Sequence, residues 1–266
     1  MGSLTNTYEN TVLNYIFNHT GSITNSAVYL ALGTNALTDD STSFTEVSGG
    51  SYARKAISFG SAASRAVTQD GTVTFDQATA DWGTVRSWQI YTAATGGTAI
   101  AWGNLDTAKA VNSGNTPSVA SGEVVVSISA GDCSNYLANA LLNAIFNGTS
   151  YTAPSTYIAL WTADLADAST GSTSGEVSGN NYSRKQVNND SSTAPYWDTS
   201  TAGTLDNHDD ITFATPSGSW GSVTAMGILD ASTAGNLLFY DNDISDTPDD
   251  GDTVKYSAGD LDVSLT

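Results

Sequence analysis

One cysteine, Cys133, stands alone in the chain. A lone thiol excludes an intrachain disulfide framework and a cysteine-built zinc site, both of which need two or more. Its expected place is a small buried or junction residue. Basic side chains are nearly as scarce, with 8 Lys and Arg against 27 Asp and Glu and a formal net charge of −19. Phosphate recognition needs clustered cations, so nucleic-acid binding is excluded, and an anionic membrane surface repels such a chain. No run approaches the roughly 18 consecutive apolar residues of a membrane span. Residues 1–9 carry neither the basic nor the apolar region of a secretory signal, so a mature chain starting near Met1 is expected. Only two histidines occur, His19 and His208, both in polar turn contexts, and no Gly-x-Ser-x-Gly elbow is present. That combination argues against a Ser-His-Asp hydrolase. Acidic pairs that could serve a glycosidase fall in loops such as 206–210 and 241–252, where a chain this acidic places carboxylates together by accident.

What is present is repetition. Leu13-Asn14-Tyr15-Ile16-Phe17-Asn18 returns as Leu142-Asn143-Ala144-Ile145-Phe146-Asn147, an offset of 129 from 13 to 142. Glu46-Val47-Ser48-Gly49-Gly50-Ser51-Tyr52-Ala53-Arg54-Lys55 returns as Glu176-Val177-Ser178-Gly179-Asn180-Asn181-Tyr182-Ser183-Arg184-Lys185. Trp82-Gly83-Thr84-Val85 answers Trp220-Gly221-Ser222-Val223. The order is kept while the offset drifts by a few residues, as loop insertions between related units produce. At 266 residues the chain has room for two units, each long enough to bury a core. The junction falls at Ser129-Ala130-Gly131-Asp132, giving units 1–130 and 131–266 joined by a linker too short to act as a tether.

Each unit opens with an amphipathic helix. Tyr8, Val12, Leu13, Ile16 and Phe17 recur at helical spacing, with Asn6 and Glu9 as a capping pair and Gly21 as the stop. In the second unit Ser134 caps a face of Leu137, Leu141, Ile145 and Phe146, and Asn147-Gly148 ends it. Short alternating runs follow, at 28–32, 56–59, 72–75, 87–91, 99–102 and 124–128, then at 211–213, 225–229, 236–240 and 253–256. They are β-branched and aromatic, bounded by Gly, Asn, Asp and Ser, and no helical crossovers separate them. The expected fold is therefore mainly β: two tandem antiparallel β-sandwich domains, each with one short N-terminal helix.

The basic pairs Arg54-Lys55 and Arg184-Lys185 hold half of all basic residues and follow Glu46 and Glu176 at the same spacing across a Ser-Gly turn. They suit either an ion pair that fixes the loop or a contact to an acidic neighbouring subunit. Trp82 and Trp220, each followed by Gly, read as core rings beside a backbone bulge. Trp88, Trp102, Trp161 and Trp197 are unmatched as Trp between the units, which makes them the candidates for exposed, sugar-stacking roles. The acidic loop offers Asp243, Asp246, Asp249, Asp250 and Asp252 as oxygen ligands for Ca²⁺ or Mg²⁺, though without EF-hand spacing.

The series Glu-Val-Ser-Gly-Gly-x-Tyr-x-Arg at 46–54, then Asp81-Trp82-Gly83-Thr84-Val85, then a Gly-rich turn before an aliphatic strand, resembles a family of bacteriophage tail-fibre-like virion structural proteins. The resemblance spans most of both repeats. It implies a non-enzymatic component on the external surface of a virion, in a tail fibre or baseplate or decorating the capsid, made in the host cytoplasm and acting through assembly. Implied partners are other virion proteins and further copies of the chain. Three copies would then set six similar domains on a six-fold tail ring or a capsid hexamer. The alternative is a carbohydrate-binding module for host-surface glycans.

Overall fold

The computed structural model describes residues 2–38, 43–131 and 133–265; Asp132 of the expected junction and Met1 lie outside the described residues. The fold is mainly β with two helices, each opening one half. Helix α1 (Asn6–Asn18) buries Tyr8, Val12, Leu13, Ile16 and Phe17, the stripe its spacing predicts. Its cap is Thr5, one residue before the expected Asn6, because Thr5 holds the extended backbone and its hydroxyl accepts from the Tyr8 amide at 3.2 Å. It ends at His19 in the left-handed region, ahead of Gly21. Helix α2 (Asn135–Asn147) is capped by Ser134, which accepts from the Leu137 amide at 3.1 Å, and is stopped by left-handed Gly148, both as expected.

In the first half the strands are β1 (Ser3–Leu4), β2 (Val28–Gly33), β3 (Lys55–Phe59), β4 (Ala66–Asp70), β5 (Val73–Thr74), β6 (Gly83–Tyr91), β7 (Ala99–Val111), β8 (Ser118–Val119) and β9 (Val125–Ser127). They run β1-β7-β6-β2-β3-β4-β9, and a bridge from Gly2 to Val126 brings the two ends of the order together, so this sheet comes near to closing as a barrel. Strands β5 and β8 form a separate ladder. In the second half β10 (Thr156–Trp161), β11 (Lys185–Val187), β14 (Ala225–Leu229) and β15 (Leu237–Asp241) form a four-stranded sheet in the order β11-β10-β14-β15. Strands β12 (Thr204–Leu205) and β17 (Val263–Ser264) form one short ladder, and β13 (Ile211–Thr212) and β16 (Lys255–Tyr256) another. Every strand of the second half thus has a first-half counterpart with the same partner: β10 for β2, β11 for β3, β12 for β4, β13 for β5, β14 for β6, β15 for β7, β16 for β8 and β17 for β9.

The units do not keep their cores apart. One cluster of buried apolar side chains runs from Leu4 and Phe17 through α2 to Trp197, Phe239 and Leu265. A smaller one gathers Trp161, Leu165, Ala225, Leu229 and Leu237 under the second sheet. Helix α1 packs on β7 of its own half and on β12 of the other; α2 packs on β15 of its own half and on β4 and β3 of the other. The apolar stripe of each helix is wide enough to face both, which an amphipathic helix on a single sheet does not need.

Candidate functional site

The repeated Glu and Arg come together within each half. In the first, Gly49, Gly50 and Ser51 all have positive φ, and this tight turn folds residues 52–54 back onto Glu46. Arg54 grips Glu46 through Nε at 2.9 Å and Nη2 at 2.8 Å, while Nη1 donates to the carbonyls of Ala93 and Gly96 at the tip of the β6–β7 hairpin. Its guanidinium carbon lies 3.5 Å from the centre of the Tyr91 ring. The second half repeats the grip. Arg184 donates to Glu176 from Nε and Nη2, both at 2.7 Å, and to the carbonyls of Ala231 and Ala234, and adds one more bond, to the Gly171 carbonyl. The Arg54 side chain is 9 % exposed and that of Arg184 only 3 %.

A tyrosine and a tryptophan complete each unit. Tyr52 and Tyr182 donate to Glu46 and Glu176 and accept from the Leu32 and Leu160 amides. Burial pushes both phenols well above the ordinary tyrosine range, so they stay protonated donors. The indoles of Trp82 and Trp220 donate to the carbonyls of Gly50 and Asn180, at the turn tip. Each meets its tyrosine edge-to-face at 5.2 Å, with Phe75 or Phe213 as the third ring. Gly83 and Gly221, with φ of 84° and 82°, let the backbone bend directly after each indole. Lys55 points elsewhere, to Asp76 at 2.9 Å, and Lys185 lies on β11 opposite Ile158. The arrangement locks a turn and a hairpin together; it holds no nucleophile beside a base.

Other candidates disperse. Asp246, Asp249 and Asp252 accept amides of their own loop, at Thr247, Asp250 and Asp249. Among the described residues no three His, Cys, Asp or Glu side chains form a group able to hold a metal, so Asp243, Asp246, Asp249, Asp250 and Asp252 are not brought together as one. His19 and His208 are exposed and far apart in role, the second against Asp198 at 2.7 Å. Trp88, Trp161 and Trp197 are buried, which corrects the expectation of exposed roles for them; Trp102 is half-buried.

Three features were not anticipated. The first is an asparagine ladder on each helix that caps a turn of the opposite half. Asn10 accepts from the Gly203 amide and the Ser200 hydroxyl, Asn14 from the Ser200 amide, each at 2.8 Å, and Asn18 donates to the Asp198 carbonyl. In reciprocal fashion Asn139 accepts from the Arg65 amide, Asn143 from the Ala62 amide, and Asn147 donates to the Gly60 carbonyl. Aromatic pairs obey the same exchange: Phe17 meets Trp197, and Phe146 meets Phe59, with centroids 4.8 Å apart in both. The signal was present as Asn at i, i+4 and i+8 in both helices, a spacing that aligns side chains on one face.

The second is Arg65, buried and in the left-handed region, which clamps the junction. It donates to the carbonyls of Ile128, Ser129 and Cys133 and pairs with Asp167 of the second half at 3.4 Å. Asp167 also accepts from the Gly131 amide and the Tyr240 hydroxyl.

The third is a carboxylate pair, Asp206 and Asp262, adjacent on the β12 and β17 edges. Hydrogen bonding to Asp262 and then desolvation hold the Asp206 carboxyl above its ordinary value of 3.8. A raised folded-state pKa means stability that is present at low pH and lost as pH rises through it. Asp206→Asn is therefore expected to raise the melting temperature at neutral pH, with the gain vanishing near about pH 3, where the unfolded carboxyl is protonated too. Equal gains at both pH values would contradict the repulsion.

The duplication is equally plain when the chain is set beside known proteins. A family model described as podophage GP4 fiber I protein gp80 matches residues 3–127 and, separately, 132–264. No curated protein matches the chain.

Proposed function

The chain belongs to the podophage GP4 fiber I protein family, non-enzymatic structural components of the virion tail fibre, and on that premise we propose that it serves as a rigid two-unit strut on the outside of the particle. The units we assign are residues 1–130 and 131–266. We place each in the antiparallel sandwich class, in the first half as one sheet curled until its ends nearly meet and in the second as a four-stranded sheet with two short ladders. The observation that carries the proposal is the reciprocal exchange of helices, whose ladders and rings fasten each unit to the other. A strut must transmit force without bending at its middle, and this joint buries apolar surface and satisfies polar groups on both sides. Among the described residues no helix is long and apolar enough to cross a membrane.

Because Asn10 meets the turn at Gly203 while Asn139 meets the equivalent turn at Arg65, the two units are related as in an isologous, two-fold contact. That contact joins the two units within one chain and leaves a homo-oligomer, a trimer among the candidates, to be built through other faces. Contacts to other virion proteins, or between whole chains in a homo-oligomer, are made by outward faces instead. Glycan recognition gains no support, since the indoles it would use are buried or half-buried, and the one large exposed apolar side chain among the described residues is Tyr136.

Electron microscopy of particles labelled with antibody to this chain tests the reading. Label on external fibres is expected; unlabelled intact particles that label only after disruption would place the chain inside and overturn it.

A further inference from the structure

We propose that the second half carries a docking cleft for a segment of another virion protein that presents an apolar side chain between lysines or arginines; the partner's class rests on the fibre reading. The cleft has a volume of about 550 Å³ and opens between the four-stranded sheet and the β16–β17 side, a size that accommodates one or two side chains. Met226, Ile228, Phe239 and Leu261 form its apolar floor. Asp241, Asp260 and Asp262 line it with exposed carboxylates.

The duplication supplies an internal control. The first half has a corresponding cleft of about 500 Å³, where Trp88 stands for Met226 and Glu123 for Asp260. Strand register aligns the remaining positions. Trp88 pairs with Gly103 as Met226 pairs with Asp241, and Val85 pairs with Lys109 as Val223 pairs with Asp246. Thr68 pairs with Val125 at the place Asp206 and Asp262 occupy, one step beyond the Leu205 and Val263 pair. The first half builds the same strands with Gly103, Val125 and Lys109 at the places of Asp241, Asp262 and Asp246, so the fold does not require those three carboxylates, while Glu123 keeps the charge of Asp260 and Asp106 also lines the first cleft. Asp262 also faces Asp206 across the β12 and β17 edge, where the two like charges repel and Asp206 holds its proton more tightly. A cation placed over this rim relieves that repulsion.

Charge selects the occupant. A second copy of the chain is less well equipped, because five of its eight basic side chains are engaged, Arg54, Arg65 and Arg184 internally and Lys55 and Lys255 with Asp76 and Asp210, which leaves only Arg86, Lys109 and Lys185 to offer. A bare metal ion does not suit it, since no three ligating side chains converge among the described residues. An apolar side chain flanked by Lys or Arg matches both floor and rim, and the acidic exterior steers such a segment inward.

The chain has only two methionines, Met1 and Met226, so methyl-labelled methionine places one NMR reporter on the cleft floor. The probe is the peptide acetyl-Lys-Leu-Lys-amide, with acetyl-Glu-Leu-Glu-amide as its opposite. Saturable movement of the Met226 methyl by the basic peptide alone is expected. Its affinity should fall at least tenfold in the variant Asp241→Asn, Asp260→Asn, Asp262→Asn, with the unbound Met226 signal unmoved. No movement at about 10 mM peptide, weaker than any useful docking contact, or equal binding by the variant or of the acidic peptide, would overturn the cleft. Absence of the wild-type chain from purified particles would remove the virion partner instead, whatever the peptides do.

Discussion

Arg184→Ala should lower the melting temperature by on the order of 10 °C while leaving the chain's association state below that temperature unchanged. The side chain is 3 % exposed and bonds Glu176 and the carbonyls of Gly171, Ala231 and Ala234. Removing it strips those carbonyls of a donor and leaves the half-buried Glu176 carboxylate without its cation, and breaking such a pair costs about 3–5 kcal/mol. Arg54→Ala should cost less, because Arg54 is 9 % exposed and, among the described residues, makes no counterpart of the Gly171 bond. Arg184→Lys should recover little, since an ammonium cannot span both carboxylate oxygens and the hairpin carbonyls at once. Differential scanning calorimetry with sedimentation velocity decides the matter. If association fails while the melting temperature holds, the arginine serves a neighbouring subunit rather than its own hairpin.

How far the sequence could be read depended on whether a feature was local. Helix α2 is legible to the residue, because Ser134 and Gly148 act on backbone groups within a few positions of themselves. Strand β14 is legible for the same reason, an unbroken apolar run between polar turns. Strand β7 extends to Val111, well past the run at 99–102, because its far half is exposed and is held by pairing with β6 rather than by burial. The tryptophans misled because residue identity was taken for role. Trp197 fills the place of Phe59, and Trp161 stands where the first half has Gly33, whose missing side chain makes room for the Phe44 ring. Cores conserve volume more strictly than they conserve a particular ring. The asparagine ladders were visible as a spacing, yet nothing in a repeated pattern says which copy a helix face will meet. Arg65 gave no repeat signal at all, since the second half has Gly203 in its place, where a side chain would run into Glu9.

That crossing of halves has its sharpest consequence at Phe17 and Phe146. Phe17 belongs to the first unit by sequence, is fully buried, and packs on Trp197 and Phe239 of the second. Phe146 belongs to the second and packs on Phe59 of the first. Truncating a buried phenylalanine costs about 3–5 kcal/mol, from the lost transfer energy and the cavity left behind. If each unit kept its own core, Phe17→Ala would split unfolding into two transitions, only one of them shifted. A shared core predicts one transition, lowered as a whole, because neither unit retains its apolar surface once the exchanged helix lets go. Phe146→Ala should produce the same single, lowered transition from the other side. Calorimetry of both variants, read beside Trp fluorescence that includes Trp197, distinguishes the two cases. Two separated heat-capacity peaks in either variant would mean that the helices rest against the opposite unit without contributing to its stability, and the strut would then have a hinge at its centre.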